Sequence, residues 1–161
     1  MGSSSTRAYK RAASLGAIAG LRSLAAPALL SRHARRNKGI NLDGTPFAWL
    51  ASPAAATGIS LLAGGEVLGD KAPFMPARTS PPALLGRAGA GALVGAAVFA
   101  ADDKPIAIGV VVGVVAAVAA TFAAYHLRKL AGEKSGLPDP IFGLVEDAIV
   151  AGSGWCVLNV E

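Results

Sequence analysis

Apolar runs of helical length, separated by short polar or proline-rich breaks, set the character of this chain. The runs cover Ala12 to Ser31, Phe47 to Gly69, Pro82 to Ala101, Pro105 to Leu130 and Asp139 to Val160. At 1.5 Å per residue each is long enough to cross a hydrocarbon core of roughly 30 Å. The pattern predicts an all-α fold, a polytopic transmembrane bundle of about five helices. Residues 1–11 are expected as a disordered tail and residues 12–160 as a single transmembrane helical domain. Arg32 to Thr45, with Gly39, Asp43 and Gly44, has the composition of a loop. Pro73, Pro76, Pro81 and Pro82 close the second helix and open the third, while Asp102 to Lys104 and Gly132 to Pro138 are read as short turns. Trp49 is placed like an interfacial anchor, and Pro53 falls inside the first turns of the second helix.

Composition points the same way. Of 161 residues, 53% are hydrophobic and only 16% charged, against about 25% charged in an ordinary soluble domain. The mean hydropathy is +0.50. With 20 glycines and 6% aromatics, the apolar residues are mostly small, which suits helices that pack backbone to backbone in a bilayer. The net charge of +5 resides in short clusters that flank apolar runs, not in a basic patch with interleaved aromatics, so no nucleic acid is expected as partner. Cys156 is the only cysteine, and His33 and His126 have no ligand-like neighbours. No disulfide, metal or cofactor is implied.

Every run but the last contains a Gly-x-x-x-Gly: Gly16 and Gly20, Gly65 and Gly69, Gly91 and Gly95, Gly109 and Gly113. Repetition of the motif predicts close helix contacts throughout. An offset of 93 residues lays Gly16–Arg36 on Gly109–Lys129, a weak repeat that alternating spans would make inverted. With five spans the N-terminal side receives Arg7, Lys10, Arg11, Lys71, Arg78, Arg128, Lys129 and Lys134, and the other side Arg32, Arg35, Arg36, Lys38 and Lys104. That bias places the N-terminus inside, in the cytoplasmic (inner) membrane. Arg7, Lys10 and Arg11 before an apolar run imitate a secretory signal, but Arg22 interrupts the run and Pro27 sits where a small-residue cleavage site is wanted. The first helix is therefore expected to be retained.

The candidate chemistry lies in charges set within or at the ends of apolar runs: Arg22, Glu66, Asp70, Arg87, Glu146 and Asp147. Glu66 and Asp70 share one helix face, and Glu146 and Asp147 point about 100° apart. Single charges in lipid are costly, so these groups are expected to gather near the cytoplasmic side, with Glu146 or Asp147 paired to Arg22 and the other meeting Arg87. The plain structural reading is a set of ion pairs that lock the helices in register. The functional one is a cavity for an ion, a proton or a polar head group. No nucleophile with an adjacent base and no phosphate loop accompanies the carboxylates, so an enzyme is not expected.

At Gly20–Leu30 (GLRSLAAPALL), Gly65–Pro81 (GEVLGDKAPFMPARTSP) and Leu137–Gly152 (LPDPIFGLVEDAIVAG) the chain resembles a bacterial membrane protein family catalogued as domain of unknown function 4126. The resemblance runs from about Ala13 to Val157 and implies a small multi-helix membrane protein without an established activity. It carries no catalytic role onto any residue. Two functions from different classes follow: a small transporter or flippase-like carrier, expected as a homo-oligomer, or an accessory subunit whose glycine faces dock onto a larger membrane complex.

Overall fold

The computed structural model describes residues 2–36, 39–69, 80–135, 148–150 and 152–153, and those residues are helices and connecting turns with no strand. The helices are α1 (Gly2–Leu21), α2 (Ala25–Arg35), α3 (Pro53–Gly69), α4 (Pro81–Ala101) and α5 (Ile106–Ser135), with a short 3-10 turn at Ala48–Ala51. Residues 148–150 and 152–153 are also helical, and Val150 is buried in the same apolar core as α1 and α4. Most of the fifth expected helix, Asp139 to Val160, lies outside the described residues.

Helices α1, α4 and α5 form the packed centre, and glycine makes it possible. A Cβ placed on Gly16 of α1 would stand 2.6 Å from the Gly113 carbonyl oxygen, and one on Gly91 of α4 would stand 2.5 Å from the same atom. Side-chain carbons do not approach backbone oxygen so closely, so both helices reach α5 only where they lack a side chain. Gly20 lies against Ala117, and Gly95 and Gly109 lie against each other. Buried Gly109, Gly113, Ala117 and Thr121 thus form one i, i+4 ridge along α5. The motif at Gly65 is not used this way, since a Cβ there would meet nothing within 4 Å.

These contacts fix direction. Indices rise together from Gly16–Gly113 to Gly20–Ala117, so α1 and α5 run parallel. They run oppositely for Gly95–Gly109 and Gly91–Gly113, so α4 and α5 form an antiparallel hairpin. Its turn is closed by the Lys104 amide, which donates to the Phe99 carbonyl at 2.8 Å, and by Asp103 in the left-handed region at φ 52, a conformation Asp tolerates better than most residues. Tyr9 packs edge-on against Phe99 with ring centroids 5.1 Å apart, bringing the start of α1 to the end of α4.

The largest departure from expectation is in the first apolar run. Instead of one spanning helix over Ala12 to Ser31, the chain breaks after Leu21 and turns back as α2. Arg11 Nη1 on α1 donates to the Gly39 carbonyl, four residues beyond α2, at 2.8 Å, so α2 lies alongside α1 with its far end near Arg11. Pro27 supplies the local reason. Within a continuous helix it would leave the Ser23 carbonyl without a donor and clash with it, whereas in the first turn of a new helix the missing N–H costs nothing. At the other end of the same run, α1 begins at Gly2, so residues 2–11, expected as a disordered tail, are its first turns.

The reversal changes every later direction. Helices α1 and α5, expected to cross oppositely, are parallel, so the Gly16–Arg36 and Gly109–Lys129 segments are not an inverted pair. The second apolar run is also divided: its first part is the 3-10 turn, and α3 starts at Pro53 with Ser52 Oγ accepting from the Ala55 amide at 3.1 Å. Pro53 therefore opens the helix at its first position, where proline is favoured. Ser31 Oγ on α2 donates to the Leu50 carbonyl, tying this turn to the middle of α2. Between them Ile40 and Leu42 are buried, and Gly39 and Gly44 take φ of 77 and 74. The first four residues of the expected basic loop are in fact helical, because α2 continues through Arg35.

Among the described residues two helices are long and apolar enough to cross a membrane, Pro81–Ala101 and Ile106–Ala131, where five spans were expected. In the second only 22% of the most apolar stretch is buried. Its outward side chains include Val111, Val115, Phe122, Leu127 and Leu130, all exposed.

Glycine substitutions test the seam. Gly113→Ala and Gly95→Ala are expected to destabilise the protein by about 1–3 kcal/mol each, the usual cost of overpacking. Gly58→Ala, where a Cβ meets nothing within 4 Å, is expected to be neutral or to stabilise by up to about 1 kcal/mol through helix propensity. Thermal unfolding in detergent reads both, and equal tolerance at all three positions would contradict the seam.

Candidate functional site

The break between α1 and α2 releases backbone groups that a continuous helix would pair. In an unbroken helix the Ser23 and Leu24 amides would donate to Ala19 and Gly20. Here both go to one carboxylate: Ser23 N to Glu66 Oε1 and Leu24 N to Glu66 Oε2, each at 2.9 Å. The Ser23 hydroxyl adds a third donor to Oε1 at 2.5 Å. The Gly20 carbonyl, left without its amide, accepts from Thr121 Oγ of α5 at 2.9 Å. A single carboxylate from α3 and a single hydroxyl from α5 thus replace lost helix bonds across three helices.

Leu24, in the N-cap position of α2, makes no side-chain capping bond. Glu66 does that work from 42 residues away. Its negative charge also stands at the positive end of the α2 dipole, an arrangement that stabilises both. Helix α3 is oriented to deliver it: its start is tied to the middle of α2 through the turn that Ser31 holds, and its last turns reach the start of α2. The two helices are therefore antiparallel.

Arg22 stands in this turn and is 4% exposed. Its own amide still bonds the Ile18 carbonyl at 2.8 Å, and its carbonyl accepts from the Ala25 amide at 3.2 Å, so the residue is the hinge between the two helices. Arg87 on α4 is likewise buried, at 5%. Continuing the Gly95–Gly109 and Gly91–Gly113 register by one turn sets Arg87 level with Ala117, the residue that Gly20 touches. Of the expected cluster, Arg22, Glu66 and Arg87 are thus brought to one end of the bundle. Asp70, Glu146 and Asp147 lie outside the described residues, and with them the expected pairing of Arg22.

That end is not the one expected. The cluster was placed on the same side as the N-terminus, but Glu66 meets Ser23 and Leu24 beyond the last turn of α1, a full helix away from Gly2. The extra reversal at Arg22 is the cause. Ser23 and Thr121 were missed as members of the site. Thr121 carries a readable signal, being the single polar residue in the α5 run from Gly109 to Ala124. Among the described residues no three His, Cys, Asp or Glu side chains converge as a metal set. The arrangement is a carboxylate held by two amide donors and one hydroxyl donor, at the end of the bundle where Arg22 and Arg87 are buried.

A family model described as "Domain of unknown function (DUF4126)" matches residues 11–160. The chain belongs to the DUF4126 family. No curated protein and no solved structure matches it. The match begins at Arg11, so in this DUF4126 chain the α1–α2 break, Glu66 and the glycine seam all fall inside the family domain.

Removing the carboxylate should be costly. Glu66→Ala is expected to destabilise by about 1–3 kcal/mol, since it strands two amides of a partly buried turn. Glu66→Gln, whose amide oxygen still accepts, is expected to cost less. In a Pro27→Ala background the penalty of Glu66→Ala should shrink, because an alanine amide can re-form the bond to Ser23 and let the helix run on. Full additivity in that double-mutant cycle would show that Glu66 does not act as the cap of the break.

Proposed function

We propose that this DUF4126 chain is an integral protein of the cytoplasmic membrane, N-terminus inside, and acts as a small carrier. In this reading the broken α1–α2 helix and Glu66 form its polar centre. Membrane embedding is supported by α5. A core helix of a soluble protein hides its apolar residues, whereas here Val111 is 59% exposed, Val115 61% and Leu127 67%. Such a surface is stable against acyl chains and costly against water.

Orientation is supported by charge. Because α2 runs back along α1, exposed Arg7, Lys10, Arg32, Arg35 and Arg36 share one end with Lys104, while Arg128 and Lys129 lie toward the other. A basic bias of this kind marks the cytoplasmic side. The observation that carries the carrier reading is the Glu66 contact. Irregular backbone at membrane depth is tolerated where it is buried in protein or lines a water-filled cavity, and the half-helix N-termini of many transporters point at an anionic group, the position Glu66 takes here.

A second reading, an accessory subunit of a homo-oligomer or larger complex, is favoured by a different surface. On α3, Gly58, Gly64 and Gly65 are open, and Leu61 and Leu62 are 71% and 61% exposed. Small residues of this kind admit close approach by another helix.

Reconstitution into sealed vesicles separates the two. A carrier is expected to pass an ion, a proton or a fluorescent phospholipid in a standard flux panel, and Glu66→Gln should lower that flux severalfold while the thermal midpoint moves little. No flux from the wild type, with Gly58→Leu and Gly65→Leu abolishing co-purification of a partner, would favour the accessory subunit instead.

A further inference from the structure

The reversal at Arg22 gathers cations that a spanning first helix would have kept on opposite sides. Arg7 and Lys10 are exposed on α1, and Arg32, Arg35 and Arg36 are exposed on and just after α2. The Arg11–Gly39 hydrogen bond sets the end of α2 at the level of Arg11, and Arg7 is four residues, about 6 Å, from that level. The carboxylates described at this end are Asp43, on the 39–47 loop, and Asp102 and Asp103, in the α4–α5 turn beside Lys104. Cations outnumber them, and none of the three is on α1 or α2.

A second observation comes from beneath the surface. Arg11 is 8% exposed, its Nη1 is spent on the Gly39 carbonyl, and its Nε is buried with no hydrogen-bond partner. A guanidinium keeps its charge under ordinary conditions, so an anion held over this end lowers the cost of keeping Arg11 buried beneath it. Tyr9, on α1 between Arg7 and Lys10 and 43% exposed, adds an amphipathic ring of the kind that settles at headgroup level.

We propose that this end of the bundle, formed by Arg7, Lys10, Arg32, Arg35 and Arg36 over buried Arg11, is a docking surface for the phosphodiester headgroups of anionic phospholipids. The inference rests on the membrane reading above. Charge complementarity carries it: an anionic leaflet attracts a juxtamembrane basic cluster, each residue contributing roughly fivefold to the binding constant. The surface is a property of the fold, because the α1–α2 reversal is what makes these cations neighbours.

The test uses the full-length protein in a neutral detergent, titrated with phosphatidylglycerol or phosphatidylcholine and read by native mass spectrometry. Phosphatidylglycerol is expected to be retained in preference, and Arg32→Gln/Arg35→Gln/Arg36→Gln together should weaken it by about a hundredfold. The Arg→Lys triple variant should restore it, and Arg128→Gln/Lys129→Gln, toward the other end, should leave it unchanged. Equal retention of both lipids, an equal loss from the Arg128/Lys129 variant, or displacement by inorganic phosphate at the same concentration would overturn the proposal. Alkaline carbonate extraction of native membranes keeps the two claims apart: protein released to the supernatant overturns the membrane reading and this inference with it. Protein that stays in the pellet without lipid preference overturns this inference alone.

Discussion

The constraint on which the structure depends is the absence of side chains at Gly16, Gly91 and Gly113. The Gly113 carbonyl oxygen lies 2.6 Å and 2.5 Å from where Cβ atoms on Gly16 and Gly91 would stand, and a Cβ on Gly113 would meet the Gly91 carbonyl, so two helices meet the third at one point of its backbone. Contacts this close yield dispersion energy along the whole seam, and in a bilayer, where lipid chains are as apolar as leucine, that packing is what distinguishes protein from solvent. Directions and register follow from it. With α4 and α5 antiparallel and α1 parallel to α5, α1 and α4 are antiparallel, so the chain must reverse between them an odd number of times, and the reversals into α2, α3 and α4 supply three.

The polar chemistry is a consequence of that geometry. An α1 that ends at Leu21 leaves amides and a carbonyl exposed inside an apolar assembly, where each unpaired group costs about 1–3 kcal/mol. Glu66 and Thr121 answer the deficit from α3 and α5. The same residues that make the break stable also make it a charged, hydrogen-bonding centre at the edge of the bundle. Stability and the proposed function therefore converge on one feature: the carboxylate that caps the half-helix is the group on which the carrier proposal rests.

Much of this was legible in the chain and some was not, for physical reasons. The α4 and α5 helices were placed within a residue at their first ends, because long uninterrupted apolar runs bounded by proline and aspartate leave few alternatives. Glycine pairs at 16/20, 91/95 and 109/113 correctly marked contacts, whereas Gly65 did not, since an open glycine and a packed one look alike in one dimension. The reversal escaped because GLRSLAAPALL is equally apolar on both sides of Arg22, so hydropathy reads it as one run. Pro27, four residues after Ser23, was the available signal, and its meaning depends on a cap that arrives 42 residues later. Missing that one turn inverted every subsequent helix and moved the charge cluster to the wrong end.

The reversal is accordingly the claim to measure. Single cysteines at Arg7→Cys and Arg36→Cys, in a Cys156→Ser background, are labelled with a membrane-impermeant maleimide in sealed vesicles of known orientation. A chain that turns back at Arg22 presents both positions on the same side, with equal protection in intact vesicles and equal labelling after permeabilisation. Labelling of the two positions from opposite sides would mean that the first apolar run spans the membrane, and the account of the break, its cap and the basic end would be wrong.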